Sequence, residues 1–434
     1  HRIARRQRQM CIRDSCSAMK TVNLANSVGT FDDFKNDILN DYYICYLSRQ
    51  ISILGRKEVL SGKGKFGIFG DGKELPQVAM AKVFKKGDFR SGYYRDMTFA
   101  IAIGLVNTEN LFSYVYGNPD PVHEPMSSGR QMIGHYNSDV LDEVGNLIPF
   151  TENKNSFSDV SSTASQMPRL LGLAYASKFF KKHPDAIDKR LSNDGNEIAW
   201  GTIGNASTSE GLFFETINAA GVMQVPMVTS VWDDDYGISV NNSYQTVKES
   251  ISEALKGMQR KSKENGIEIF VVNGWDYPAL VETYTKASRI AREEHVPVLI
   301  HVTELTQPLG HSTSGSHERY KSNERLDWEK KQDCNLKFRE WIINKNIATK
   351  EQIQDIEKKA SDDAKKGRDL AWSNYLKPIE KQKEEAYNLI NKIYEENPNV
   401  EFLSSNLRAL SKNLIYRKSI YEEVRKVLYK TKNK

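Results

Sequence analysis

The sequence predicts an α/β fold: a parallel sheet flanked by helices, with helical extensions on its N- and C-terminal sides. Three observations carry this expectation. Short apolar runs at 198–203, 225–232, 268–272 and 296–302 have the length and composition of buried strands. Helical spacing intervenes at 211–222, 246–263 and 277–294. Outside this middle region, apolar residues recur at three- and four-residue steps without strand-like runs. Alternation of strand and helix argues for parallel strands, because each parallel crossover needs a covering element.

In chain order, residues 1–18 read as a tail foreign to the fold. Residues 1–16 are rich in Arg and hold no Lys, whereas the remainder is biased to Lys. A mitochondrial presequence is the rival reading, but the helical amphipathicity of such a segment is poor. Residues 19–92 form an N-terminal helical region. There Phe31, Phe34, Ile38, Leu39, Tyr42, Tyr43, Tyr46, Leu47 and Ile51 predict a helix over 30–60, and a second helix covers 74–84. Residues 93–320 hold the alternating α/β domain. Residues 321–434 are dense in Lys and Glu, and read as solvated amphipathic helices packing on the main domain or on a partner, or as a linker. Thr349 followed by Gln352 is the pattern of a capping box.

Composition excludes several classes. The chain has 434 residues, 39% hydrophobic and 27% charged, too long for one ordinary core, so two or three packed units are expected. Aromatic content of 10% with 13 prolines excludes a mostly disordered polymer. No run approaches the ~18 apolar residues that span a bilayer, so a soluble protein with no membrane partner is expected. Lys and Arg total 61 against 56 acids, too small an excess to imply nucleic acid. Cys11, Cys16, Cys45 and Cys334 form no CxxC pair, which argues against structural zinc or a disulfide framework and for a reducing compartment. Gly62, Gly64 and Gly67 make a literal GxGxxG. It lacks the preceding strand and following helix of a dinucleotide site and reads as turn glycines.

The chemistry concentrates between 198 and 240. One strand ends in Gly204, Asn205, Ala206 and Ser207, and a helix opens near Glu210 and Gly211 carrying Phe214, Ile217, Asn218 and Gly221. A second strand ends in Asp233, Asp234, Asp235, Tyr236 and Gly237. Two oxygen-rich tips at the carboxyl ends of neighbouring strands are where open parallel sheets bind ligands. Carboxylate, amide and carbonyl oxygens there suit a hard cation such as Mg2+ shared with a diphosphate. Polar loops capping helix starts are the simpler alternative on spacing alone.

At these residues the sequence resembles the alpha subunit of the decarboxylating component of 2-oxoacid dehydrogenase complexes, in its branched-chain and pyruvate forms. The strand–turn–helix–strand unit is similar to the thiamine diphosphate motif. Tyr94, Arg95 and Asp96 resemble the diphosphate-binding element. Gly129, Arg130, Gln131 and Met132 with His135 and Tyr136 follow in order, then the loop from Ser161 through Thr163 to Pro168 that embraces the aminopyrimidine. Gly310, His311, Ser312, Thr313 and Ser314 resemble the active-site loop. The resemblance covers residues 33–320.

It implies a thiamine diphosphate-binding fold with that cofactor and Mg2+. Metal ligands would be Asn205, Asp234 and the Tyr236 carbonyl. Tyr94, Arg95, Ser161, Thr163, Gly204, Ala206, Ser207, Glu210, Asp234 and Ile238 would bind the cofactor. His311 and His135 would handle protons, since imidazole titrates near neutrality. Three departures stand out. The family's Asp or Glu is Asn205 here and its Asn is Asp234, a reciprocal exchange. Gln307 replaces an Arg, and Gly315 an Asp. The register favours Asp234 over Asp233 and Asp235 as the ligand.

The resemblance further implies an activating Glu from a beta subunit or beta domain, which nothing after Tyr320 resembles. A lipoyl domain of an acyltransferase component would receive the acyl group, and the assembly would hold two alpha and two beta chains in a bacterial cytoplasm. A pyruvate or acetoin dehydrogenase alpha subunit is the alternative within enzymes. A non-catalytic scaffold subunit is the alternative of another class.

Overall fold

A computed structural model of the chain describes residues 30–261, 264–412 and 414–431. The Arg-rich opening segment 1–18, with Cys11 and Cys16, lies outside them. The chain divides into two compact units, residues 1–40 and 41–434. The described part of the first opens helix α1 (Phe31–Leu60), where the Thr30 N–H donates to Asp33 Oδ2 at 2.8 Å.

Within the second unit, α1 ends in the glycine turn and is followed by α2 (Glu74–Val83), β1 (Phe89–Ser91), α3 (Met97–Ala102) and α4 (Thr108–Tyr116). Then come β2 (Asn155–Ser156), α5 (Gln166–Lys182), β3 (Ala199–Gly204), α6 (Gly211–Met223) and β4 (Met227–Trp232). A small hairpin of β5 (Tyr236–Gly237) and β6 (Val240–Asn241) precedes α7 (Ile251–Ala254), β7 (Glu268–Asn273), α8 (Tyr277–Arg289) and β8 (Val298–Thr303). Five helices close the chain: α9 (Asn323–Lys331), α10 (Cys334–Asn344), α11 (Lys350–Glu396), α12 (Glu401–Leu410) and α13 (Arg417–Thr431).

Six strands form one parallel sheet in the order β2-β1-β3-β4-β8-β7. Both faces are covered, as the near-continuous apolar strands require. One face presents Ala199, Ile203, Met227 and Val231 to Met167, Leu170 and Ala174 of α5 and to Phe213 and Ile217 of α6. Gly201 lies on this face, and a Cβ there would stand 2.2 Å from Leu170 Cδ2, so the residue lets α5 sit directly on the sheet. On the other face Trp200 meets Phe84 and Tyr284, at ring separations of 6.3 and 6.4 Å, and Ser230 Oγ lies 2.9 Å from the Tyr284 hydroxyl. The four strands expected from the sequence are present with bounds shifted by one or two residues, and so are the helices expected over 211–222 and 277–294, the latter ending in a π-helical turn over Ile290–Glu294.

Two differences have clear causes. Strands β1 and β2 are three and two residues long, too short to show a period. Their edge is held by Asp88, whose carboxylate accepts from the Ile198 N–H at 2.9 Å, from Trp200 Nε1 at 3.1 Å and from Arg292 at 2.8 Å. The helix expected over 246–263 is broken. Lys248 and Glu249 take positive φ values of 64° and 56°, after which Ser250 caps the single turn of α7.

Beyond Tyr320 all described elements are helical. The 47-residue α11 starts at the Thr349–Gln352 capping box and contains Pro378. Its small residues Ala360, Ala364 and Ala371 pack with Leu111, Phe112 and Val115 of α4. Past Pro378 a separate cluster of Ile379, Ile390, Leu403, Leu407, Leu410 and Ile420 joins α11, α12 and α13. Among the described residues no helix is long and apolar enough to cross a membrane.

Candidate active site

The register of β3 on β4 pairs Gly204 with Trp232, so Asn205 and Asp233 leave the sheet side by side. The backbone continues the ladder for one more step: the Asn205 N–H donates to the Trp232 carbonyl at 3.2 Å and the Asp233 N–H to that of Val302 at 2.9 Å. The three consecutive carboxylates then diverge. Asp233 is buried, lies 2.8 Å from His301 Nε2 and accepts from Asn242 Nδ2 at 3.0 Å. His301 Nδ1 in turn meets Ser252 Oγ at 2.9 Å. Asn242 Oδ1 takes a 2.7 Å bond from Asn205 Nδ2, so any ligand contact by Asn205 uses its carbonyl oxygen. Asp235 is ion-paired with Arg325, which also donates to the Asp234 carbonyl at 2.8 Å. Of the three, Asp234 faces a cavity.

That cavity has a volume of about 450 Å³. Its wall contains Tyr94, Arg95, Ser161, Thr163, Gly204, Asn205, Ala206, Ser207, Asp234, Tyr236, Ile238 and His311, drawn from the strand tips and four separate loops. Lys73, Arg95 and Lys321 outweigh Asp234 among its charged groups, which favours an anionic guest. The Tyr93 hydroxyl in the same wall is buried without a hydrogen-bond partner in the protein, so a polar ligand group there would satisfy it. An amide oxygen, a carboxylate and a backbone carbonyl at the strand tips are hard donors. Lys73 already balances the carboxylate, at 2.8 Å. The residues present therefore fit a hard divalent cation that shares its coordination with an anionic ligand.

Burial raises the Asp234 carboxyl, but Lys73 together with Lys321 and Arg95 outweighs it and the net shift is downward, so the group is ionised at neutral pH. Burial pushes the His311 imidazole down to about 4, with Arg95 adding to the effect, so it is neutral at pH 7. Arg95 is itself buried and spans two loops, donating to the Phe69 carbonyl at 2.6 Å and to that of His311 at 3.0 Å. Below the floor, Asp96 accepts from Arg90 at 2.7 Å and from Trp232 Nε1 at 3.3 Å, tying the loop after β1 to the tip of β4.

A family model described as dehydrogenase E1 component matches residues 45–373. The chain belongs to this family. Curated relatives are alpha subunits of 2-oxoacid dehydrogenases of the branched-chain and pyruvate type. The chain is 27% identical over 313 residues to the 2-oxoisovalerate dehydrogenase subunit alpha of Bacillus subtilis (strain 168), covering 70% of this chain and 83% of that protein. It is 28% identical over 284 residues to the mitochondrial 2-oxoisovalerate dehydrogenase subunit alpha 2 of Arabidopsis thaliana, covering 65% and 52%. It is 23% identical over 301 residues to the pyruvate dehydrogenase E1 component subunit alpha of Rickettsia prowazekii (strain Madrid E), covering 69% and 80%.

Two of the residues that the E1 alpha resemblance singled out stand away from the cavity wall. His135 is buried behind it, with Nδ1 2.9 Å from the Ile133 carbonyl and Nε2 3.4 Å from Ser161 Oγ. Glu210 is exposed at the N-cap of α6. Phe214 and Asn218 likewise lie on the exposed side of that helix, whose buried face is Phe213, Thr216, Ile217 and Ala220. Conversely, Lys73, Tyr93, Trp232, Tyr320 and Lys321 belong to the wall and were not anticipated. Lys73 had one local signal. It occupies the N-cap of α2, where the helix dipole disfavours a cation and a short polar side chain would cap better.

Proposed function

We infer that this E1 alpha chain, together with a beta partner, oxidatively decarboxylates a 2-oxo acid, most naturally 3-methyl-2-oxobutanoate or another branched-chain acid. The acyl group would pass to a lipoyl group on the lipoyl domain of an acyltransferase component. The supporting observation is the convergence of the two strand tips with Arg95, Ser161 and His311 on one cationic cavity. Thiamine diphosphate, when bound with Mg2+, supplies the carbanion chemistry of decarboxylation.

The chain's own residues bind and orient. Asn205 and Asp234 would hold Mg2+ with the Tyr236 carbonyl, while Tyr94 and Arg95 would bind the diphosphate. Gly204, Ala206 and Ser207 would bind the same group, with Glu210 at the head of α6. Ser161, Thr163 and Ile238 would contact the remainder of the cofactor. Ile238 stands 62% exposed with φ 58°, a strained backbone for a β-branched residue and a mark of a constrained ligand wall. His311, neutral at pH 7, can accept a proton or donate its N–H to developing charge. His135 would act through Ser161.

On this reading residues 93–320 are the cofactor-binding domain and 321–434 a helical region that braces it. Two alpha and two beta chains would assemble, with the activating Glu coming from beta. The buried free thiols of Cys45 and Cys334 suit a reducing compartment; the bacterial cytoplasm is the one proposed.

Calorimetric titration of the chain with thiamine diphosphate tests the reading: binding heat is expected with Mg2+ and is lost with a chelator. Absence of heat in both would leave a scaffold subunit. Relatives of both substrate types occur. Decarboxylation assays of chain plus beta partner with 3-methyl-2-oxobutanoate and with pyruvate would separate them, the first being the expected better substrate.

A further inference from the structure

Lys73 stands at the head of α2, just past Gly72, with a side chain 2% exposed. Helix dipole and desolvation both oppose an ammonium there, so its retention calls for compensating partners. It has three, one for each proton: Asp234 Oδ2 at 2.8 Å, Gln307 Oε1 at 2.7 Å and the Thr306 carbonyl at 3.1 Å. Asp234 belongs to the tip of β4, whereas Thr306 and Gln307 lie on the segment leading from β8 to His311. The same loop grips that segment again. Gln307 Nε2 donates to the Asp71 carbonyl at 3.1 Å, and the Leu309 N–H to Asp71 Oδ2 at 2.8 Å. Gly72 makes the approach possible, because its φ is +83° and a Cβ would stand 2.1 Å from the Thr306 carbonyl oxygen.

We propose that Lys73 is a positioning residue that registers the Asp234 carboxylate against the His311 loop, and that this junction requires a cation. The inference rests on the cofactor reading above and adds a group to it. Since Gln307 Oε1 touches the ammonium, an arginine at 307 would bring its guanidinium to the same junction from the opposite side.

The test is calorimetric titration of the full chain with thiamine diphosphate and Mg2+, as wild type, K73M and K73M/Q307R. K73M is expected to weaken binding by roughly 10–100-fold, the usual loss when a group orienting a ligand residue is removed. K73M/Q307R is expected to regain most of it, which a loss of packing alone would not allow. Wild-type affinity in K73M, or a double variant as weak as K73M, overturns the proposal. If K73M does not fold, the double variant decides: affinity near wild type supports the proposal and its loss overturns it. A wild-type chain that takes up no cofactor removes the cofactor reading instead. The junction is then read by thermal unfolding, with K73M expected below wild type and Q307R restoring it; no rescue overturns the proposal there too.

Discussion

The strand-tip cavity and the outer face of α11 are both rich in charge, and they use it in opposite ways. Around the cavity, Lys73, Arg90, Arg95, Asp96 and Asp234 are all buried, and each is held by named partners. Along α11, Lys365 and Asp362 or Lys366 and Asp363 pair three residues apart on the solvent side. The apolar seam beneath them is a line of alanines and isoleucines. Buried ions carry a desolvation cost that only specific geometry offsets, whereas solvated pairs contribute little either way. The difference is one of energetics: the cavity is arranged around buried charge, whereas the outer face of α11 carries its charge in solvent.

The contrast sets an order of expected effects. Asp234→Ala strands the Lys73 ammonium in a buried site and should cost about 3 kcal/mol in denaturant unfolding, besides abolishing Mg2+-dependent binding of thiamine diphosphate. Unchanged cofactor affinity would remove Asp234 from the site. Acid provides the next effect. The folded His311 pKa of about 4 lies below its ordinary 6.5, so the unfolded chain takes up the proton first as pH falls. Stability is therefore full above pH 6.5 and declines between 6.5 and 4. His295 is shifted the same way, to about 4, by burial. His311→Gln should make urea-measured stability less steep over this window without removing the whole slope; an unchanged slope would show that His311 is solvated.

In the helical region the effects are smaller. Thr349→Ala removes the cap of α11 and should lower stability by about 1 kcal/mol, read by thermal unfolding. Lys365→Gln breaks an exposed pair and should shift stability by less than about 0.5 kcal/mol. A loss as large as that of Asp234→Ala would erase the distinction between the two regions.

What the sequence revealed follows the same divide. Strands β3, β4 and β8 are paired on both sides and β7 pairs with β8 at the sheet edge; each is a mostly apolar run long enough to be visible in the sequence alone. Strands β1 and β2 exist because of Asp88 and the pairing of Phe89 with Ala199, which are tertiary facts. The strand tips were readable because Asn205 and the run Asp233, Asp234 and Asp235 follow the ends of two apolar strands. Lys73 was not, because it lies some 160 residues from Asp234 in the chain and only the fold brings the two together. Spacing also left the choice among Asp233, Asp234 and Asp235 open. The partners settle where each points: His301 takes the first and Arg325 the third.

Diffraction from crystals of the chain grown with thiamine diphosphate and Mn2+ in place of Mg2+ would show whether the two strand tips share a metal. One anomalous peak is expected, bonded to Asn205 Oδ1, Asp234 and the Tyr236 carbonyl, with the diphosphate completing its shell. A cofactor bound elsewhere, or a metal that leaves both strand tips untouched, would contradict that arrangement.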